Sequence, residues 1–168
     1  MKRIERRADP YRDTTVIDSR APRFNQLVVG VLSVVAVATG WWWLFAALAA
    51  QLAVGLAFGR RFCLPCLAYF ELVQPIAGEG RLEDSRPPRF ANMVGCGFLS
   101  AAAVTWAAGL ETTGMVLGGL VAGLALLAAA TRLCAGCEAY KLGCLLRGHP
   151  FVACPLPPLP SGGRAGAR

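Results

Sequence analysis

The fold is decided by one uncharged stretch of 36 residues, FNQLVVGVLSVVAVATGWWWLFAALAAQLAVGLAFG, which runs from Phe24 to Gly59. A single helix of this length would measure about 54 Å, whereas the hydrocarbon core of a bilayer is roughly 30 Å thick. The stretch therefore predicts two membrane-spanning helices that fold back on each other. Thr39 and Gly40 mark the turn at its midpoint, and Trp41 to Trp43 follow as an aromatic belt at the membrane interface.

A second apolar stretch, from Phe90 to Thr131, contains a single charged residue, Glu111. It divides at Gly109 to Gly114 into two arms of about 20 residues, roughly 30 Å each. We therefore expect an all-α integral membrane protein with four transmembrane helices. The composition agrees, because charged residues make up only 16% of the chain, against roughly 25% in soluble domains. Small residues are expected to let the helices pack closely, among them Gly118, Gly119 and Gly123.

Positive charge lies outside both apolar stretches. Seven Lys and Arg fall in residues 1–26, five in 59–89 and five in 131–168. The net charge of +7 would suggest nucleic acid in a soluble protein, but beside apolar spans the nearer partner is the lipid bilayer with its anionic headgroups. The positive-inside rule places the N-terminus, the middle segment and the C-terminus in the cytoplasm, which predicts a multi-pass inner-membrane protein with no nucleic acid partner.

The chain contains an internal repeat. DSRAPRF at 18–24 matches DSRPPRF at 84–90 in six of seven positions, and RFCLPCLAY at 61–69 matches RLCAGCEAY at 132–140 in five of nine. Two spans return the chain to its starting side, so the halves are expected to be parallel hairpins related by a pseudo-two-fold axis along the membrane normal. This predicts a basic segment (1–17), two hairpin repeats (18–80 and 81–150), a short interfacial helix after spans 2 and 4, and a disordered Pro/Gly-rich tail (151–168).

Each repeat ends in a Cys-x-x-Cys pair, Cys63 with Cys66 and Cys134 with Cys137. Stable structural disulfides are not expected on the reducing cytoplasmic side, which favours redox, sulfur or metal chemistry. The spacing suits a small disulfide ring with a lowered thiol pKa, which requires no cofactor, or half of a four-thiolate zinc or iron-sulfur site formed by all four cysteines. Both possibilities stay open at this point.

The first pair has Pro65 before its second cysteine, as in thioredoxin-type active sites, and Pro suits the start of a helix. Cys63 would then face a helix N-terminus beside Arg60 and Arg61, which makes it the expected nucleophile and Cys66 the resolving thiol. No strand-helix-strand pattern surrounds the pair, so the thioredoxin fold itself is excluded.

The second pair is followed directly by Glu138, a carboxylate that opposes thiolate formation, while Arg132 favours it. The sign of the pKa shift therefore stays open, and Glu138 is a candidate proton acceptor for Cys137. Four further candidates are the arginines that recur before spans 1 and 3. They either bind lipid phosphates or converge on the cysteines to hold an anion: Arg20, Arg23, Arg86 and Arg89.

These motifs resemble a bacterial membrane family catalogued as domain of unknown function 4395. The resemblance rests on Asp18, Arg20 and the run from Pro22 to Gln26 at the start, and on Cys134, Cys137, Glu138 and Tyr140 at the end. It implies a small membrane protein. The family's company in genomes with thioredoxin-like and sulfurtransferase proteins further implies sulfur or redox work.

Three function classes follow. The first is thiol-disulfide or persulfide exchange with a soluble thioredoxin-like or sulfurtransferase partner. The second is a non-enzymatic scaffold whose four thiolates bind metal. The third is a transporter component for a small sulfur anion, which at four spans would need to form a homo-oligomer. Whether the protein is an enzyme stays open among them.

Overall fold

The structure is a computed structural model that describes residues 11, 14–78, 80–131 and 133–148. Most of the basic segment predicted for residues 1–17, the tail predicted for 151–168, and Arg132 lie outside the described residues.

The described chain is all-helical apart from two three-residue strands, which the sequence did not predict. In chain order the elements are β1 (Val16–Asp18), α1 (Arg20–Thr39), α2 (Trp42–Phe58), a 3₁₀ turn (Arg60–Phe62), α3 (Leu64–Ala68), a π-helical turn (Tyr69–Val73), α4 (Gln74–Ala77), β2 (Leu82–Asp84), α5 (Arg86–Ala107), α6 (Glu111–Thr131) and α7 (Ala135–Leu146).

Three of the described helices, α1, α5 and α6, are long and apolar enough to cross a membrane. Helix α2 contains no charged residue, but it has 17 residues and is therefore only about 26 Å long. Large apolar side chains point outward from these helices, for example Val31, Val104 and Val116. Outward faces of this kind suit a lipid environment, because a soluble protein rarely exposes so large an apolar surface.

The first hairpin turn lies where the sequence predicts it. Helix α1 ends at Thr39, and Gly40 adopts a positive φ of 73°, which glycine tolerates without steric cost. The second turn is shorter than expected, because α6 already begins at Glu111. Gly109 supplies the positive φ there (84°), and Gly114 belongs to the helix, where it packs against Trp106.

Helices α1 and α5 begin in the same way. Asp18 accepts a hydrogen bond from the backbone N–H of Arg20 (2.9 Å), and Asp84 accepts one from that of Arg86 (2.8 Å). Both carboxylates are buried. The aspartate one position before the N-cap serine therefore satisfies the first helical N–H, a need that every helix N-terminus has.

Cross-packing of helices from the two halves builds the bundle. Helix α1 packs mainly on α6, and α2 mainly on α5. The core between them contains Phe45, Leu52, Leu99 and Trp106.

The glycines of α6 contribute unequally to this packing. A Cβ on Gly118 would collide with the ring of Phe45, whereas a Cβ on Gly119 or Gly123 would meet no atom within 4 Å. The expectation that Gly119 and Gly123 permit close packing is thus wrong, because both lie on the outer side of α6.

Contacts between the halves occur in pairs that the sequence repeat relates to each other. Strands β1 and β2 pair antiparallel, with Val16 opposite Asp84 and Asp18 opposite Leu82. The N–H of Ser19 donates to the carbonyl of Arg81 (2.9 Å), and that of Ser85 donates to the carbonyl of Thr15 (3.0 Å).

The aromatic contacts inside each half match as well. The ring centroids of Phe24 and Tyr69 are 6.0 Å apart, and those of Phe90 and Tyr140 are 5.7 Å apart, each pair at an interplanar angle of 47°. The halves differ in their hairpins, since α5 packs closely on α6 while α1 contacts α2 much less.

Candidate functional site

The first cysteine of each pair is the N-cap residue of a helix. Cys63 precedes α3 with φ −85° and ψ 102°, and Cys134 precedes α7 with φ −92° and ψ 110°. Their carbonyls accept the first helical hydrogen bonds, from Leu67 (2.8 Å) and Glu138 (2.9 Å). Pro65 is the second residue of α3, where no backbone N–H is needed. The predicted position of Cys63 at a helix N-terminus is thus observed, and Cys134 shares it.

This geometry places the second cysteine three residues into the helix, where its thiol and its backbone N–H both reach the first sulfur. In the first pair, the hydrogen bond from the Cys66 thiol lowers the pKa of Cys63 to about 7, although burial of Cys63 opposes the shift. The same bond and burial raise the pKa of Cys66. One thiolate beside one thiol is the arrangement that a nucleophile and a resolving cysteine need.

The second pair behaves in the same way, which gives a direction to the pKa shift that the sequence left open. The Cys137 thiol, as hydrogen-bond donor, lowers the pKa of Cys134 to about 6. The pKa of Cys137 is raised, first by its bond to Cys134 and by burial, with a smaller contribution from the charge of Glu138. The carboxylate therefore acts on the resolving thiol rather than on the nucleophile.

Two neighbouring residues of α1 reach the two pairs. The Asn25 side-chain oxygen lies 4.0 Å from the sulfur of Cys63, and the Gln26 amide donates to the sulfur of Cys134 at 3.1 Å. Asn25 also donates to the side-chain oxygen of Asn92 on α5 (3.2 Å). Both cysteine pairs thus lie at the same end of the bundle, with a cluster of amide side chains between them.

The two pairs differ in exposure. Cys63 and Cys66 are 5% and 7% exposed, whereas Cys134 and Cys137 are partly exposed. Each pair borders its own cavity, one of about 140 Å³ at Cys63 and Cys66 and one of about 120 Å³ at Cys134. Asn25, Leu52 and Asn92 line both cavities.

The four cysteines do not form one metal-ligand cluster. Across the described residues, no group of three or more His, Cys, Asp or Glu side chains could hold a metal ion. The six cysteines that the structure describes all have free thiols.

The four candidate arginines divide between different places. Arg89 lines the Cys63 cavity together with Arg60, and its guanidinium donates to the carbonyl of Leu56 (3.1 Å). Arg20 and Arg23 line a separate cavity beside Tyr69. Arg86 forms an ion pair with Asp84 at 2.8 Å. Only Arg89 of the four therefore lies where it can meet an anion beside a cysteine pair.

The charges flanking the pairs act differently from what the sequence suggests. Arg60 lowers the pKa of the resolving Cys66 and is not among the groups that shift the pKa of Cys63, while Arg61 stacks 5.4 Å from the ring centre of Tyr11. Glu138 is exposed and forms an ion pair with Lys141 at 2.7 Å. The thiolates thus owe their stabilisation to hydrogen bonds.

A family model for a domain of unknown function, DUF4395, matches residues 17–144. The chain belongs to this family. The matched range of DUF4395 contains both cysteine pairs and the α1 residues between them. Neither the curated proteins nor the solved structures contain a match to the chain.

Asn25 and Gln26 belong to the opening motif of the DUF4395 resemblance, yet nothing in the sequence pattern places them at the cysteines. Asn92 and Gln51 are further members of the site that sequence reasoning missed, and Gln51 also lowers the pKa of Cys63 by a hydrogen bond. The available signal was their chemistry: all four are amides in otherwise apolar spans, where polar side chains are costly and need partners.

Proposed function

We propose that this protein carries out thiol-disulfide or persulfide exchange with a soluble thioredoxin-like or sulfurtransferase partner. One observation carries the proposal: in both pairs, the first cysteine is a helix N-cap with a lowered pKa, and the second remains a thiol beside it. A reactive thiolate next to a resolving thiol is the minimum that such exchange requires.

The partly exposed pair is the one that a protein partner can reach. The Cys134 thiolate attacks one sulfur of the partner's disulfide, which forms a mixed disulfide and releases the other partner sulfur as a thiolate. Cys137 then loses its proton to solvent and attacks the Cys134 sulfur. The products are a Cys134–Cys137 disulfide and a second partner thiolate, so two electrons pass from the pair to the partner. The reverse sequence reduces the pair.

The exchange can be measured with oxidised full-length protein in nanodiscs, mixed with thioredoxin, thioredoxin reductase and NADPH. We expect rapid oxidation of one NADPH per chain, because thioredoxin reduces the exposed pair. Cys134→Ser, alone or with Cys63→Ser, should abolish this phase. Cys96→Ser is the matched control, since Cys96 lies within α5 with its thiol on the carbonyl of Ala49 (3.4 Å). An NADPH signal unchanged in the double variant would refute the proposal.

A four-thiolate metal site receives no such support. The described part of the chain contains no group of side chains arranged to hold a metal, and the two thiols of each pair already hydrogen-bond to each other. Native mass spectrometry of anaerobically purified protein distinguishes the two functions. We expect a metal-free mass, and a bound zinc or iron-sulfur cluster that persists in mild reductant would favour the metal site.

We further propose that α2 is a fourth span and that both pairs face the cytoplasm of a bacterial inner membrane. The uncharged α2 packs along α5, and the matched contacts at Ser19 and Ser85 are those expected for two parallel hairpin repeats. The uneven distribution of Lys and Arg in the sequence supports an orientation with both ends in the cytoplasm.

The topology predicts that a membrane-impermeant maleimide leaves Cys134 unlabelled in intact cells and labels it in inside-out vesicles. Cys134 is suited to this readout because it is partly exposed. Labelling of the Leu110→Cys variant in intact cells, at the exposed second hairpin turn, provides the positive control for the outer face. Labelling of Cys134 in intact cells would overturn the orientation.

A further inference from the structure

The first cysteine pair borders a cavity with a positive wall. Its charged lining residues are Arg60 and Arg89, and its polar ones include Asn25, Ser85 and Asn92. None of the described residues that line it is acidic. Arg60 donates to the carbonyl of Thr14 (2.9 Å) and Arg89 to that of Leu56 (3.1 Å), which hold the two guanidinium groups at the wall.

The cavity at the second pair is different in kind. It is lined mainly by apolar side chains of α1, α5 and α6, and no charged residue is among the described residues that line it. Two cavities that open onto the same chemistry thus differ in charge. The two cavities are therefore expected to bind molecules of different charge.

Access to the first pair is limited by size. Both of its thiols are at least nine-tenths buried, so the cysteine of a folded partner cannot reach Cys63 without opening the bundle. A cavity of about 140 Å³ admits a molecule of a few heavy atoms. The reactant of this pair must therefore be small, and two arginines favour an anion.

We propose that the Cys63 cavity binds a small anion that carries a sulfane sulfur, a sulfur atom bonded to a second sulfur, and that Cys63 accepts this atom. The inference rests on the proposed function, because it needs Cys63 to be a nucleophile, and it names the substrate class of the first pair. Arg60 and Arg89 bind the anionic end, and the thiolate of Cys63 faces the transferable sulfur.

Thiosulfate illustrates the balance of the step. The Cys63 thiolate attacks the outer sulfur, a new sulfur–sulfur bond forms, and the bond to the inner sulfur breaks. Sulfite leaves with the bonding electron pair, so a thiolate and a thiosulfate dianion become a Cys63 persulfide anion and a sulfite dianion. The charge on both sides is the same. The thiolate of a small thiol that enters the cavity then takes the outer sulfur and restores the Cys63 thiolate.

The test uses reduced full-length protein in nanodiscs with thiosulfate as the probe. We expect the peptide that contains Cys63 to gain one sulfur atom by mass spectrometry, with an equal amount of sulfite released. Arg89→Gln should slow the gain about three- to tenfold, since it removes one charged contact to the anion. Arg23→Gln, the matching position of the first repeat, lines a different cavity and should leave the rate unchanged.

A second measurement does not depend on the identity of the sulfur donor. Iodoacetate and iodoacetamide have similar size but differ in charge, and the ratio of their alkylation rates reports the local potential. We expect this ratio to be about five- to tenfold higher at Cys63 than at Cys134, and to fall at Cys63 in Arg89→Gln. Equal ratios at the two cysteines, or no sulfur on Cys63, would overturn the inference. If thioredoxin exchange at Cys134 then persists, the proposed function still stands.

Discussion

Alkylation of Cys134 by iodoacetamide is expected to rise with pH around a midpoint near 6, and alkylation of Cys63 around a midpoint near 7, because these are their pKa values in the folded protein. An unperturbed cysteine has its midpoint at about 8.5. Cys134 is therefore expected to react at a pH well below the one at which a free cysteine reacts.

The direction of the pH dependence follows from the species that reacts. Iodoacetamide reacts with the thiolate, so each rate rises as pH passes upward through the pKa and falls below it. In the fold, the Cys137 thiol donates to the Cys134 sulfur and stabilises the charged form; unfolding removes that donor. The measurement is the alkylation rate of each peptide between pH 4.5 and 9.5, by mass spectrometry, with chain unfolded in denaturant as control. Midpoints near 9 in the folded protein would contradict the N-cap arrangement as the source of reactivity.

Gln26→Leu tests one cause of the lowered pKa of Cys134 separately from the others. The Gln26 amide donates to the Cys134 sulfur at 3.1 Å, and a charge-assisted bond of this kind is worth about one pKa unit. The midpoint of Cys134 should therefore rise, whereas that of Cys63, which Gln26 does not contact in the described structure, should stay in place. An equal rise at both cysteines would indicate a general disturbance of the bundle instead.

The chemistry of the cysteine pairs could be predicted from the sequence because it is local. Pro65 and the two-residue spacing already indicate a helix N-terminus, and the cap geometry of Cys63 follows from them. The sign of the Cys134 shift could not be predicted. It comes first from the hydrogen bond of the Cys137 thiol on α7 and then from that of Gln26, which is 108 residues away in the chain. Contacts of this kind are visible only in the folded bundle.

In the fold, too, local features could be predicted from the sequence, whereas contacts between distant segments could not. The charge-free stretch and Gly40 predict the first hairpin. A bilayer limits the length of a helix, and glycine adopts the positive φ of the turn without steric strain. The strands β1 and β2 were not predicted, because each has only three residues and forms by pairing with a segment distant in the chain. The placement of the four candidate arginines could not be predicted for a related reason. The sequence shows which helix carries each of them, but not which cavity that helix borders.

Gly118→Ala is expected to destabilise the protein by about 1–3 kcal/mol, even though alanine favours helices more than glycine does. A Cβ at this position would collide with the ring of Phe45, a buried side chain in the core between α2, α5 and α6. In a chain of this size the apparent melting temperature in detergent should fall by about 3–10 °C. Fluorescence-detected gel filtration after heating measures that change.

Gly119→Ala is the matched control on the same helix, since no atom lies within 4 Å of the added Cβ. It should leave the melting temperature unchanged or raise it, because only the helix preference changes. The collision itself is tested by adding Phe45→Leu to Gly118→Ala. The smaller side chain makes room for the methyl group, so the double variant should be more stable than the sum of the two single effects predicts. Strict additivity, or equal losses at Gly118 and Gly119, would show that α6 does not approach Phe45 as the bundle requires.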